Sequence, residues 1–202
     1  MQLRKSSGAE AVFWVVDVCG NDMRLEILIS REEIEKRVKE LAEEISRDFA
    51  GEDPLMLGIL NGAFVFMADL IREMSVPVEV EFIRVKSYSG TDSTGRIDVI
   101  MDVSENVSGK NVVIVEDIVD TGLTMDFLVR RVVEKGAKSV KICALLDKPS
   151  RRVVDVKPDY VGFTIPDYFV VGYGLDYNGR YRELPAIYRV CNSESSGFKD
   201  SD

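Results

Sequence analysis

The 202-residue chain contains no histidine. This removes serine–histidine and cysteine–histidine nucleophile systems and every histidine-ligated metal site. Acid–base work then falls to carboxylates, lysine, tyrosine or the substrate itself. Any metal must be hard and oxygen-bound, with Mg²⁺ first in line. Cysteine is scarce as well. The three present, Cys19, Cys143 and Cys191, are far apart and odd in number, so neither a disulfide framework nor a Cys-rich metal site follows. A reducing cytoplasm suits that usage. No run of about 18 apolar residues exists, so nothing is expected to span a bilayer. The apolar patch Ala11 to Val18 is too short for a signal segment and is interrupted by Asp17. Basic charge is in deficit, with a net charge of −9. Such a surface repels nucleic-acid phosphates and anionic membranes, and neither is an expected partner.

Hydrophobic residues make up 46% of the chain, enough for one substantial core and one domain. The domain is expected over residues 23–191. Residues 1–22 form an extension of open packing, with one short strand around Val12 to Val16. The polar tail 192–202, from Asn192 onward, is expected to be disordered.

Along the domain, Ser30 opens a helix with a Ser-x-x-Glu capping box to Glu33. Ile34, Val38, Leu41 and Ile45 follow at helical spacing, and Gly51 and Pro54 end the element. Leu55 to Leu60 reads as a buried strand, Asn61-Gly62 as a turn, and Ala63 to Glu73 as a second helix. Val76 to Lys86 alternates like a half-buried strand. The small polar stretch Ser87 to Arg96 reads as a mobile loop, with Asp98 to Val103 returning from it. Asn111 to Val115 is β-branched, as buried parallel strands are. Thr124 to Lys135 predicts a third helix closed by Gly136. Ser139 to Leu146 and Tyr160 to Phe163 read as further strands. This alternation predicts an α/β fold with a mostly parallel twisted sheet flanked by helices.

The segment Val112 to Thr124, VVIVEDIVDTGLT, reads as strand, turn and helix start, at the end of the sheet where ligands bind. Gly122 lets the backbone approach a ligand, and free N–H groups with the helix dipole suit a phosphate. Three carboxylates, Glu116, Asp117 and Asp120, crowd the same turn. A bare phosphate cradle would not want them. A diol donating to Glu116 and Asp117, with a metal screening the charge, describes a phosphorylated ribose. An acidic loop facing water is the plain alternative, and on the residues alone the two stand about level.

Hydrophobic strand followed by E-D-I-V-D-T-G-x-T resembles the phosphoribosyl pyrophosphate (PRPP) motif of type I phosphoribosyltransferases. The Glu-Asp pair before I-V-D-T-G looks like the hypoxanthine-guanine branch. The resemblance runs from about Leu25 to Val190. It implies the family's sheet with a small base-binding hood, dependence on Mg²⁺, and a homodimer or homotetramer. It also implies residue roles. Glu116, Asp117, Asp120, Thr121, Gly122, Leu123 and Thr124 would bind the ribose 5-phosphate part of PRPP. Asp120 would be the catalytic group at purine N7. In LGILNGAFVFMADL, a cis peptide at Asn61-Gly62 would present backbone N–H groups to pyrophosphate. Many relatives carry lysine at position 61. Ser87 and Tyr88 would close a lid over the same group.

In LLDKPSRR, Lys148 would donate to the O6 of the base. A lysine only donates, so a 6-oxopurine is favoured over adenine. In VGFTIPDYFVVGYGLDYNGRYREL, Phe169 would stack on the base and Val170 would meet its edge through the backbone. Asp176 would bind Mg²⁺, alongside Glu116 and Asp117 at the ribose. Arg182 would grip pyrophosphate. Each has a plain alternative: an ordinary Asn-Gly turn, a hairpin loop, a surface lysine, a core phenylalanine, a surface ion pair. The rival functions are a phosphoribosyltransferase for adenine, xanthine or a pyrimidine, and a PRPP-sensing regulator that binds nucleic acid. Lys148 counts against the adenine enzyme, and the acidic charge counts against the regulator.

Overall fold

The structure is a computed structural model that describes residues 4–5, 12–16, 22–87, 97–104 and 107–191. Tyr88 and the rest of the expected lid beyond Ser87, most of the first 22 residues and the polar tail lie outside these. The chain divides into two compact units, 35–167 and a smaller one made of 1–34 and 168–202.

The smaller unit is built on an antiparallel sheet. Its strands are β1 (Arg4–Lys5), β2 (Val12–Val16), β3 (Asp22–Ile29), β10 (Val170–Val171) and β11 (Ile187–Cys191), in the order β1-β2-β3-β11-β10. The short strand expected at Val12 to Val16 is present as β2. Met23, Leu25, Val171, Tyr181, Ala186 and Tyr188 form its buried core.

Helix α1 (Arg31–Asp48) carries the chain from one unit into the other. Its capping box closes as the sequence predicts. Ser30 N–H donates to Glu33 Oε2 at 2.8 Å, and Glu33 N–H donates to Ser30 Oγ at 3.3 Å. Ile34, Val38, Leu41 and Ile45 are all buried.

In the larger unit, β4 (Leu55–Leu60), β5 (Glu79–Ser87), β6 (Ile97–Met101), β7 (Asn111–Val119), β8 (Ser139–Asp147) and β9 (Tyr160–Thr164) form one sheet, ordered β6-β5-β4-β7-β8-β9. All neighbours are parallel except β5 and β6. Helices α2 (Phe64–Glu73) and α3 (Leu123–Glu134) connect the parallel strands. β5 begins at Glu79, three residues later than the alternation suggests, because Pro77 has no N–H for the ladder. α2 begins at Phe64 with Ala63 as its N-cap, and α3 begins one residue early, at Leu123. Gly136 ends the α3 segment at a φ of 87°. Leu55, Leu57, Val112, Ile114, Leu128 and Val132 lie in the core between sheet and helix, each with no exposed surface. That core fixes the carboxyl ends of β4, β7 and β8 side by side.

Candidate active site

Three loops leave those carboxyl ends: 61–63 after β4, 120–122 after β7 and 148–152 after β8. The last two are stitched together. Lys148 N–H donates to Val119 O at 3.0 Å, Arg152 Nη1 to Asp120 O at 2.9 Å, and Val153 N–H to Thr121 O at 3.0 Å. Three successive carbonyls of the ribose-phosphate loop are thereby held by the segment that carries Lys148. Arg152 also pairs with Asp147, the last residue of β8. A short 3-10 turn, Pro149–Arg151, shapes the segment.

Glycine at 122 is required twice over. Its φ is 85°, and an added Cβ would lie 2.9 Å from Val154 Cγ2 and 3.0 Å from Arg152 Cδ. It is the N-cap of α3, and Asp126 N–H makes the first helical bond to its carbonyl. Thr121 Oγ1 accepts the Leu123 N–H at 3.4 Å. The backbone thus turns from β7 into the N-terminal turn of α3 at Gly122.

Only three polar or charged residues are buried among those described: Ser46, Glu116 and Lys148. Ser46 takes the Ser75 N–H in a plain structural bond. The other two are residues singled out from sequence. Burial of a charge is costly unless it is paired, so two such groups on neighbouring strand ends mark a site. Burial is the main reason the Glu116 carboxyl lies well above the ordinary range, and the adjoining Asp117 carboxylate pushes the same way. Glu116 Oε1 accepts the Asp117 N–H at 3.3 Å, and Asp117 Oδ1 accepts the Ile118 N–H at 2.8 Å. Hydroxyl donors or a cation at Glu116 would favour its ionised form.

The cis peptide lies between Leu60 and Asn61, one bond before the Asn61-Gly62 bond expected above. β4 runs to Leu60, so the chain turns at the strand's last residue. Gly62 has a separate cause: its Cα lies against the Asp117 carboxylate, with no room for a side chain.

Asp120 is ion-paired through one oxygen, Oδ1 to Arg151 Nε at 3.1 Å. Arg151 also reaches Asp167 at 3.3 Å, and Lys148 Nζ lies 3.7 Å from Asp167 Oδ1. Arg151, Arg152 and Asp167 were not singled out in the sequence. Both arginines stand in the quoted LLDKPSRR, but no spacing rule says where their side chains go.

The smaller unit holds the other candidates. Phe169 is 52% exposed, unlike a core phenylalanine. Tyr177 meets it at 5.5 Å in an edge-to-face contact, and the Phe169 carbonyl accepts the Val190 N–H at 2.9 Å. Val170 is buried and pairs with Arg189 in the sheet. Asp176 Oδ1 pairs with Arg182 Nη2 at 2.6 Å, and Asp176 Oδ2 accepts the Gly179 N–H at 2.7 Å. Arg182 also donates to Gly174 O. Among the described residues, three non-glycines have positive φ: Tyr173, Asn178 and Tyr181. All fall in the hairpin that carries Asp176 and Arg182. Such backbone costs about 1–3 kcal/mol per residue and collects at binding sites. Ser87 is the last residue of β5.

Among the described residues, no three histidine, cysteine or acidic side chains converge. The carboxylates present are hard oxygen donors, and Asp176 is 31% exposed. Carboxylates of this kind would suit Mg²⁺, which is held through one or two carboxylates with substrate oxygens and water.

No helix among the described residues is long and apolar enough to cross a membrane. Residues 26–178 match the model of the phosphoribosyl transferase domain family. A hypoxanthine-guanine phosphoribosyltransferase of Bacillus subtilis is 50% identical over 80% of this chain and 90% of its own. A hypoxanthine phosphoribosyltransferase of Salmonella typhimurium is 46% identical over 82% and 95%. The crystal structure of a hypoxanthine-guanine phosphoribosyltransferase from Bacillus anthracis superposes with a TM-score of 0.77 at 48% identity, covering 82% of this chain and 96% of that one. A Staphylococcus aureus hypoxanthine phosphoribosyltransferase gives 0.79 at 41% identity, over 82% and 91%. The motif, the sheet and these relatives agree: the chain belongs to the phosphoribosyltransferase family, in its hypoxanthine-guanine branch.

Proposed function

We propose that the enzyme transfers the 5-phosphoribosyl group of PRPP to hypoxanthine or guanine, giving IMP or GMP and pyrophosphate in purine salvage. The observation that carries this reading is the stitching of the Lys148 segment onto the Asp120 loop through three successive carbonyls. It holds a buried ammonium and a carboxylate on neighbouring strand ends. Those are the groups a 6-oxopurine asks for, a donor at O6 and an acceptor at N7–H. Adenine, with an amino group at position 6, would leave the Lys148 ammonium facing a donor. The names of the relatives support the same substrates.

In this reading the N-terminal turn of α3, with Thr121, Gly122, Leu123 and Thr124, binds the 5-phosphate. Glu116 and Asp117 accept the ribose hydroxyls and set a negative field beside carbon 1, where oxocarbenium character grows as pyrophosphate leaves. Asp120 takes the N7 proton as N9 attacks. Asn61 and Gly62 offer backbone N–H groups to pyrophosphate, and Ser87 and Tyr88 close over it. Arg182 grips pyrophosphate with its planar fork. Phe169 stacks on the base, and Val170 meets the base edge through its backbone. Asp176, Glu116 and Asp117 would hold Mg²⁺, which would supply charge neutralisation for the leaving group.

We read residues 23–191 as one phosphoribosyltransferase domain working in the cytoplasm, with no nucleic-acid partner for a chain of net charge −9. Val80 and Phe82 on β5 and Phe64 on α2 are exposed apolar side chains. They support a homodimer or homotetramer, which light scattering would count. The central test is a spectrophotometric assay with PRPP and Mg²⁺ against hypoxanthine, guanine, xanthine and adenine. Turnover of hypoxanthine or guanine, lost with chelator and absent with adenine, is expected. PRPP binding without turnover of any base would favour the regulator.

A further inference from the structure

The groups assigned to the base are joined by a chain of charges. Asp120 Oδ1 pairs with Arg151 Nε at 3.1 Å, Arg151 Nη1 with Asp167 Oδ2 at 3.3 Å, and Asp167 Oδ1 with Lys148 Nζ at 3.7 Å. Signs alternate along it: carboxylate, guanidinium, carboxylate, ammonium. Arg151 uses two separate nitrogens, so it serves both carboxylates at once. Asp167 likewise uses a different oxygen for each cation.

The two ends differ. Among the described residues Asp120 Oδ2 has no partner, and it remains available as an acceptor. Lys148 is 8% exposed and 3.7 Å from Asp167, too far for that contact to be a tight hydrogen bond.

The middle members are set by backbone. Arg151 N–H donates to Lys148 O at 3.1 Å within the 3-10 turn. Asp167 lies two residues after Ile165, whose N–H donates to Asp147 O at 3.0 Å. Asp147 and Lys148 are consecutive, so one strand end anchors both.

We propose that Arg151 and Asp167 are positioning residues for base recognition, holding Asp120 and Lys148 as a spaced acceptor–donor pair. This rests on the reading of Asp120 and Lys148 given above and extends it to two residues that need not touch the substrate. The side chains of Arg151 and Asp167 are 48% and 50% exposed. Exposed ion pairs add little to stability. Their effect lies in order: a lysine and a carboxylate already fixed lose less rotamer freedom when the base arrives. The cost of removing the bridge therefore falls on the groups that meet the base, and PRPP affinity is spared.

Steady-state kinetics of the full chain with hypoxanthine, PRPP and Mg²⁺ test this in wild type, Arg151→Gln, Asp167→Asn and the double variant. Each single variant is expected to raise the KM for base about fivefold, with the KM for PRPP within about twofold. The double variant is expected to be no worse than the poorer single one, since one broken link opens the whole chain. Asp167→Glu, which restores the charge, is expected to recover most of the loss. An unchanged KM for base in both single variants overturns the proposal. So does a rise in the KM for PRPP in step with it, or multiplied losses in the double variant. The unaltered KM for PRPP also reports that the fold is intact. Absence of turnover in the wild type would sink the parent reading as well, whereas an active wild type with indifferent variants sinks this proposal alone.

Discussion

Gly62 lies against Asp117 so closely that a Cβ at position 62 would stand 1.6 Å from Asp117 Oδ2 and 2.4 Å from its carboxyl carbon. The loop after β4 and the acidic end of β7 are thus packed backbone against side chain. Gly62→Ala must displace either the loop or the carboxylate. Forced overpacking of this kind costs about 1–3 kcal/mol, so a lower urea midpoint and a higher KM for PRPP are expected together. The cause is separable: Asp117→Ala added to Gly62→Ala is expected to recover the urea midpoint without recovering activity. A double variant as unstable as Gly62→Ala would show that the clash lies elsewhere.

Asp120 holds its place through an ion pair and has 39% of its side chain exposed. Asp120→Asn is close in shape, and its melting temperature is expected to stay near that of wild type. Turnover is another matter, because the amide cannot accept the N7 proton. A fall in kcat of about 10²–10⁴ is expected, the usual range for a general base. A rate near wild type would remove Asp120 from the chemistry.

Phe169, with 52% of its surface exposed and one edge contact to Tyr177, contributes little to the core. Phe169→Ala is therefore expected to leave the denaturation curve almost unmoved. The KM for hypoxanthine is expected to rise about tenfold, the worth of one base–aromatic stack. Equal rises for base and PRPP would point to a general loosening of the smaller unit.

The sequence carries the parts of this protein that depend on local period and local chemistry. Ile34, Val38, Leu41 and Ile45 announce the buried face of α1, and Ser30 with Glu33 announces its start. The run from Val112 to Thr124 announces strand, cradle and helix. Partners chosen by tertiary packing are not written there. β3 escapes notice because its pairing is with β2 and with β11, far along the chain. The bond that is cis, Leu60–Asn61, is set by where β4 stops, and Asn-Gly draws the eye one residue too far. Arg151 and Arg152 look alike in sequence. Yet one reaches Asp120 and Asp167 by side chain, and the other takes the Asp120 carbonyl and Asp147. The 3-10 turn after β8, with Arg151 inside it and Arg152 at its end, sets the two apart.

Asp102 offers a test of acid stability away from the site. Its Oδ1 accepts from Arg131 Nε at 2.8 Å and from the Val103 N–H at 2.9 Å, Oδ2 pairs with Arg131 Nη2, and Lys135 lies 3.6 Å away. The Arg131 hydrogen bonds, opposed by partial burial, hold its carboxyl below the ordinary value. With a folded-state pKa below the unfolded one, the unfolded chain binds the proton more readily. The pair's stabilisation is then complete above the unfolded value, near pH 4, and is lost as pH falls through the lower folded value. The side chain is 33% exposed, so screening keeps the effect modest. Melting temperatures of wild type and Asp102→Asn, taken from about pH 6 down to about pH 2.5, are expected to differ at the top of that range and converge at the bottom. A gap that stays constant throughout would mean that Asp102 acts through packing and not through its charge.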